Sequence, residues 1–352
     1  MSSAPRSPSS SLGLFAEIVR LQQAGRAAVL ATPLTYRGSV PLTQSSRLLY
    51  RDDGSLQGTI GGGALEARVL DVAPQAMNED QARVLDFDLS QDEAARTGMI
   101  CGGRCSVLLE PVRPGRNEEA FAAAARAEAQ GRPVALITLL SPEDFPKKLA
   151  CTLEEGLVGS TGDADLDEAL GWAAQAALAE GTSRPIEDPA AHVDVILPQP
   201  PAFIFGAGHI SLILAHLADL VGFRVVVTDD RQEFANRPRF PTAHQVLVAT
   251  VEAAFDSLGI GKDGYVVAVT RGHAMDEDVV AGALRTEARY IGMIGSRRKV
   301  AAVMGRLRER GFSEQDLARV HAPIGLDINA DTVEEIAVSI LAQLIAVRRS
   351  GG

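Results

Sequence analysis

Residues 203–211 read Phe-Ile-Phe-Gly-Ala-Gly-His-Ile-Ser, a bulky apolar run broken by two glycines and followed at once by a helical pattern. Few folds accept that junction. A buried strand must turn sharply into a helix: Gly206 permits the bend, and Gly208 lets another group approach the first helix amides. Ser211, in the third position of the motif, is small enough for the helix to lie on the sheet. The segments that follow repeat the scheme. Residues 202–205, 224–228, 245–248, 264–269 and 288–294 are short and rich in β-branched residues, with helical runs at 210–221, 276–284 and 297–310 among them. Apolar strands separated by helices imply a doubly wound parallel sheet covered on both faces. An apolar helix over 332–347 closes the chain.

The turn also suggests a ligand. Asp229 stands 23 residues after Gly206, at the end of the second strand. A carboxylate there accepts hydrogen bonds from a ribose 2′-hydroxyl and repels a 2′-phosphate, so NAD or another nucleotide fits better than NADP. The competing reading is a tight turn with no ligand. Two further strand ends reach the same crevice. In Thr270-Arg271-Gly272-His273, His273 is placed to bind an anion, move a proton or hydrogen-bond a loop. In Gly295-Ser296-Arg297-Arg298-Lys299, three cations crowd the positive end of a helix dipole. That is unfavourable by ~0.3–1 kcal/mol each when exposed, and a bound anion reverses the sign. A solvated basic helix continuing through Arg306, Arg308 and Arg310 is the alternative.

The first half of the chain mixes helices and strands. Helical spacing opens it at 12–21, strands are expected at 28–34, 84–89, 106–112 and 134–140, and Asp53-Gly54 joins a hairpin over 47–50 and 56–60. Further helices are expected at 64–72, 117–130 and 165–180, and a hairpin at 149–157. Prolines 185, 189, 198, 200 and 201 mark residues 182–201 as a linker with a short strand at 192–197, dividing a domain at 12–181 from one at 202–350. Gly61-Gly62-Gly63 before Ala64-Leu65-Glu66 leaves amides open at a helix start, suited to an anion or a ring edge, unless it is a strained turn alone. Cys101 and Cys105 flank Gly102, Gly103 and Arg104. A thiol beside an arginine in a flexible loop can become a thiolate nucleophile or a soft-metal ligand; inert burial is the other reading. Two cysteines do not make a structural zinc site, and Cys151 reads as core.

Composition excludes several classes. With 34 basic and 45 acidic residues the formal charge is -11, which repels phosphate backbones, and 5% aromatic residues leave little for stacking on nucleic acid. Three cysteines do not form a disulfide scaffold and fit a reducing compartment, so a cytoplasmic protein is expected. Residues 1–11 read as a polar tail rather than an export signal, and no stretch reaches the roughly 18 apolar residues of a membrane span.

Six motifs in order, Gly58-Thr59-Ile60-Gly61-Gly62-Gly63-Ala64-Leu65-Glu66, Gly98-Met99-Ile100-Cys101-Gly102-Gly103, the Gly206-Ala207-Gly208-His209 turn, Thr270-Arg271-Gly272-His273, Tyr290-Ile291-Gly292-Met293-Ile294-Gly295-Ser296 and Pro323-Ile324-Gly325-Leu326-Asp327, resemble the XdhC/CoxI family of xanthine dehydrogenase accessory proteins. The resemblance implies a mixed α+β N-terminal domain followed by a Rossmann-like sheet. It also implies a homodimeric chaperone that binds molybdenum cofactor (molybdopterin), supports its sulfuration by a cysteine desulfurase and delivers it to apo xanthine dehydrogenase, in contact with cofactor biosynthesis proteins. Catalytic turnover is not required. The family's glycine-rich motifs carry over to Gly61–Gly63 and Cys101–Gly103, and its later motifs to Gly206, Gly208, His209, His273 and Ser296. Two places depart from the family pattern: Thr270-Arg271-Gly272-His273, where Thr-His-x-His is common, and Gly38-Ser39-Val40-Pro41-Leu42, where a basic residue often follows the proline. On this reading Cys101 contacts the metal end or its exchangeable sulfur, and the glycine turns with Arg297 or Arg298 hold the phosphate end. An NAD-dependent oxidoreductase, with His273 as acid-base group, and a Cys101–Cys105 thiol switch are the rival readings.

Overall fold

The computed structural model describes residues 13–43, 45–89, 103–140 and 145–350. The chain divides into two compact units at Pro198/Gln199.

The N-terminal unit contains two five-stranded antiparallel sheets. The first has the order β3-β2-β1-β5-β4, from β1 (Ala28–Arg37), β2 (Arg47–Arg51), β3 (Leu56–Thr59), β4 (Arg83–Asp88) and β5 (Arg104–Val112). The second has the order β8-β7-β6-β10-β9, from β6 (Val134–Leu139), β7 (Lys147–Thr152), β8 (Gly156–Val158), β9 (Arg184–Ile186) and β10 (Ala191–Ile196). Strand alternation sends Leu109, Val107 and Val29 to one face of the first sheet, under α2 (Gly63–Glu79). Ala28, Leu30 and Val112 go to the other face, where they join Val134, Leu136 and Ala150 of the second sheet and α1 (Leu14–Gln23) and α3 (Glu118–Gln130). α4 (Ala164–Glu180) covers the far face of the second sheet.

Two expectations are corrected here. Residues 182–201 are not merely linker, because β9 and β10 lie within them and complete the second sheet. Pro185 belongs to β9, an edge strand, where a missing amide is tolerated. Helix α2 does not stop near residue 72 but runs through Pro74 to Glu79. Burial of Val69, Val72, Ala73 and Ala76 on the sheet offsets the hydrogen bond that Pro74 removes.

Where the two sheets meet, the apolar cluster gives way to buried charge. Arg47 on β2 forms a bidentate pair with Asp194 on β10, at 2.9 and 2.5 Å. Lys148 on β7 lies 3.0 Å from Glu110 on β5 and donates to the Thr138 hydroxyl at 2.7 Å. His192, 5% exposed, sits on the same face of β10 as Asp194, with its Nδ1 unpartnered among the described residues. Burial keeps the imidazole below its ordinary range; Asp194 opposes this, and the charges of Lys148 and Arg47 add to it.

The C-terminal unit is a six-stranded parallel sheet of order β13-β12-β11-β14-β15-β16. Its strands are β11 (Pro201–Phe205), β12 (Arg224–Asp229), β13 (Gln245–Val248), β14 (Tyr265–Ala268), β15 (Tyr290–Met293) and β16 (Val320–His321). Within the unit this is the order 3-2-1-4-5-6 of a Rossmann-like sheet, with the switch point between β11 and β14. α5 (His209–Leu220) and α9 (Val333–Arg349) pack on one face and α6 (Val251–Ser257), α7 (His273–Leu284) and α8 (Arg297–Glu309) on the other. The doubly wound parallel architecture expected from residues 202–350 is therefore the one observed.

Removing one member of a buried ion pair strands the other. Asp194→Ala should lower unfolding stability by about 3–5 kcal/mol, read from the urea midpoint; a loss under about 1 kcal/mol would show that Arg47 finds another partner or water. Because the folded His192 resists a proton that the unfolded chain accepts near pH 6.5, stability should fall as pH drops below about 6.5. His192→Leu should flatten that part of the midpoint–pH curve, and an unchanged slope would assign it to other groups.

Candidate functional site

In the C-terminal unit, Gly206 has φ +105°, and a Cβ there would press on the Val269 carbonyl oxygen, so glycine is required. The Gly206 amide donates to the Thr228 carbonyl at 2.8 Å, and the Ser211 hydroxyl donates to the Gly206 carbonyl at 2.5 Å. Ser211 thus fits the motif's third position for two reasons, its size and its bond to the turn. A Cβ at Gly208 would meet nothing within 4 Å, which leaves the approach to the first turn of α5 open, with His209 exposed at its start.

Asp229 lies at the end of β12 as expected, but its oxygens are engaged. It accepts from the Ala207 amide at 2.8 Å, from the Arg231 amide at 3.1 Å and from the Arg231 guanidinium at 2.9 and 3.0 Å. Burial would push this carboxyl up, yet those donors hold it below the usual carboxylate range. Arg231 in turn lies 3.8 Å over the Phe234 ring. The residue expected to read a ribose therefore also locks the glycine turn.

Beyond β14, the carboxylate of Asp276, which is fully buried, accepts from the Thr270 amide at 3.0 Å and the Thr270 hydroxyl at 2.7 Å, and pairs with the Lys299 ammonium. Lys299 of the basic cluster is thereby committed to the fold. Ser296 is the N-cap of α8, accepting from the Lys299 amide at 3.3 Å. Arg297 and Arg298 are exposed, and among the described residues neither has an ion-pair partner. His273 begins α7; its side chain lies outside what is described.

At these carboxyl ends opens a small cleft whose enclosed space is about that of one water molecule. Phe205, Ala249, Val251 and Met275 form its apolar side, and Thr228, Asp230 and Thr270 its polar side. Thr228 is 3% exposed, and its hydroxyl has no partner among the described residues. Thr228, Arg231 and Asp276 were given no part in the site by the sequence reading. The signal for Asp276 was its position one turn into a helix after a strand-ending threonine, and for Arg231 its place two residues after Asp229.

In the N-terminal unit, Gly61, Gly62 and Gly63 all have positive φ. A Cβ at Gly61 would strike the Pro41 carbonyl oxygen. Two of the three glycine amides are engaged: Glu66 Oε2 accepts from the Thr59 hydroxyl at 2.6 Å and from the Ile60 and Gly62 amides at 3.2 Å, and the Gly61 amide donates to the Thr59 hydroxyl at 3.1 Å. Glu66 fills the anion hollow it was expected to flank. Gly103 is needed for close approach, since a Cβ would lie 2.6 Å from the Arg37 carbonyl oxygen. Arg104, largely exposed, pairs with Asp88 at 2.9 Å. Cys101 and Gly102 lie outside the described residues. Cys105 is buried on β5, and burial with the nearby Asp86 charge pushes its thiol up to about 11. Cys151 is fully buried in the core of the second sheet. Among the described residues no group of three or more His, Cys, Asp or Glu side chains is placed to hold a metal, and no helix is long and apolar enough to cross a membrane.

Residues 21–88 match the XdhC and CoxI family, and residues 202–344 match the XdhC Rossmann domain. The chain belongs to the XdhC/CoxI family. It is 26% identical over 340 residues, 96% of its length, to the uncharacterized protein YqeB of Escherichia coli K12, of which it spans 47%, about half. It is 24% identical over 326 residues to a Bacillus subtilis protein named as a probable xanthine dehydrogenase subunit; the match covers 92% of this chain and 93% of that one. A crystal structure from Bacillus halodurans, described as a xanthine dehydrogenase, superposes with a TM-score of 0.80 at 27% identity and 97% coverage of both chains. For an XdhC/CoxI protein the arrangement separates two kinds of group. Glu66, Asp229, Asp276 and Lys299 close turns, while Arg297, Arg298, the start of α5 and the Thr228 cleft remain accessible or unsatisfied.

The buried thiols give a direct check. In the folded protein at about pH 7.5, Cys105 and Cys151 should resist iodoacetamide and react only after denaturation. Mass mapping of the labelled cysteines reads this, and rapid labelling of Cys105 in the native state would contradict its burial.

Proposed function

We propose that this chain is a maturation factor for xanthine dehydrogenase that binds molybdenum cofactor and passes it to the apoenzyme, acting as a carrier rather than by turnover. The observation that carries the reading, beside family membership, is the pair of exposed, unpartnered guanidiniums of Arg297 and Arg298 at the N-terminus of α8. Two cations at the positive end of a helix dipole repel it when alone and suit an anion when one is bound. The cargo is a pterin with a dithiolene-bound metal and an anionic phosphate, and the phosphate is the part these arginines fit. The Gly61–Gly63 turn offers less to an anion, because the Gly61 amide already donates to the Thr59 hydroxyl and the Gly62 amide to Glu66.

The thiol part of the proposal rests on Cys101 in the Cys-Gly-Gly-Arg-Cys segment. Of the two cysteines there, Cys105 is protonated at neutral pH and buried, which leaves Cys101 to contact the metal end or its exchangeable sulfur. Sulfuration of the bound cofactor by a cysteine desulfurase, association with cofactor biosynthesis proteins, a homodimeric state and a cytoplasmic location complete the reading.

The test is to purify the chain from cells able and unable to make molybdenum cofactor and to measure bound molybdenum, released pterin and activation of an apo xanthine dehydrogenase. The cofactor should co-purify only from competent cells. Changing Arg297→Glu with Arg298→Glu should cut retained pterin by about tenfold, the scale of losing charge-assisted contacts. It should leave the unfolding midpoint unchanged, since both side chains are exposed. Cys101→Ser should retain pterin but activate the client poorly. Cofactor-free protein from competent cells together with no activation of the client would overturn the proposal.

A further inference from the structure

The Pro323-Ile324-Gly325-Leu326-Asp327 loop, which leaves β16 for α9, is not among the groups assigned to the cofactor. It is pinned at successive residues. The Ile324 amide donates to the Met293 carbonyl at 2.9 Å, extending the parallel pairing of β16 with β15. The Gly325 amide donates to Gln343 Oε1 at 2.8 Å, and the same oxygen accepts from the Tyr290 hydroxyl at 2.5 Å. The Leu326 amide donates to the Ser339 carbonyl at 3.1 Å, and the Leu326 carbonyl accepts from the Ser339 hydroxyl at 2.5 Å. Gly325 has φ +99°, and a Cβ there would strike Ser339 Oγ, so this path requires glycine. A loop fastened in this way nevertheless leaves its apolar side chains in water. Leu326 is 43% exposed, Ile328 48%, and Val338, next to Ser339 on α9, 47%. Around them, residues 323–338 carry Asp327, Asp331, Glu334 and Glu335 and no Lys, Arg or His. Glu335 accepts from the Asp331 and Thr332 amides at the start of the helix. Asp327, Asp331 and Glu334 are exposed, with no ion-pair partner among the described residues.

We propose, on the carrier function argued above, that this loop and the start of α9 form the surface on which the recipient apoenzyme docks, through a segment of apolar side chains flanked by lysine or arginine. Exposed apolar side chains held together by a built loop mark a place of association. Because the backbone is fixed beforehand, little freedom is lost when a partner settles on it. The acidic rim sets the sign of that partner: apolar contact supplies attraction, and unpaired carboxylates select cations and repel anionic surfaces. A second copy of this chain is the wrong match. A two-fold contact sets a patch against itself, which here would face uncompensated acid with acid on a chain of net charge -11. Position agrees with the chemistry. The loop leaves β16 at the carboxyl end of the sheet, next to β15, whose own loop presents Arg297 and Arg298. A protein seated there stands at the end of the sheet where the cargo phosphate is held.

The experiment uses the full chain from cells able to make molybdenum cofactor and apo xanthine dehydrogenase from cells unable to make it. Affinity is read by calorimetry at low and high salt, and self-association by sedimentation. Ile328→Asp with Val338→Asp should weaken binding of the apoenzyme by at least about tenfold, with retained pterin and the unfolding midpoint unchanged. Asp327→Lys with Glu334→Lys, which keeps the apolar side chains, should also weaken it and reduce its salt dependence. Leu220→Asp, 60% exposed at the far end of α5 and so at the opposite end of the sheet, should leave the affinity unchanged. No binding of the apoenzyme by the unaltered chain would overturn the carrier function and this docking surface together. Binding that both loop variants leave unaltered, or that Leu220→Asp weakens as much as they do, would overturn the docking surface alone. So would variants that lose self-association and keep the apoenzyme, since the patch would then belong to a second copy.

Discussion

Carboxylates turned inward onto backbone amides shape this protein's possible sites. Glu66 bonds the Ile60 and Gly62 amides, Asp229 the Ala207 amide and Asp276 the Thr270 amide. Two of these follow one design: a threonine at the strand end, Thr59 or Thr270, gives its hydroxyl to an acidic residue one turn into the next helix. Orphan amides at a helix start need an acceptor, and a side chain tethered in the same turn supplies one without the entropy of capturing a free anion. Such a turn is rigid before any ligand arrives. Only places the carboxylates leave uncovered are open to a visitor, such as the exposed guanidiniums of Arg297 and Arg298 and the start of α5.

The C-terminal unit was legible because its signal is local. Consecutive β-branched residues flanked by helical periods fix a parallel sheet, and Gly206, with Gly208 after it, fixes where the first strand turns. The N-terminal unit was less legible because its decisive contacts are distant in sequence. Arg47 and Asp194 are 147 residues apart, and nothing around either announces the other. Prolines 185 and 189 suggested a linker since proline disrupts central strands, but β9 is an edge strand that does not need the lost amide. The Gly61–Gly63 motif is expected to offer open amides to an anion or a ring edge, with a strained turn as the alternative, and all three glycines have positive φ. That its acceptor is Glu66 depends on a side-chain direction that spacing alone does not fix.

Buried charge in the N-terminal unit bears on specificity more than on stability. Replacing a buried ion pair by apolar residues is often neutral or stabilising, whereas a single unpaired member is strongly unfavourable. Arg47–Asp194 and Lys148–Glu110 link one sheet to the other, so a register slip of either sheet would strand two charges at once. The apolar half of the same interface, contributed by residues such as Leu30, Val112 and Leu136, supplies attraction but tolerates sliding. The polar half sets the register, and His192, kept neutral beside it, makes that register sensitive to acid.

The C-terminal sheet also shows how a fold widely used for dinucleotides can be narrowed. Its strand order provides the crevice, and the glycine turn provides open helix amides. Asp229, however, spends its oxygens on Ala207 and Arg231, and the Lys299–Asp276–Thr270 link fastens α8 and α7 to the end of β14. Hydride transfer needs a nicotinamide held face-on to a substrate within a dry pocket. The crevice is cross-linked on that side, and the enclosed space beside Thr228 is about that of one water molecule. Arg297 and Arg298 do not line that cleft and stand exposed at the start of α8, where their charges meet the positive end of the helix dipole without a partner among the described residues.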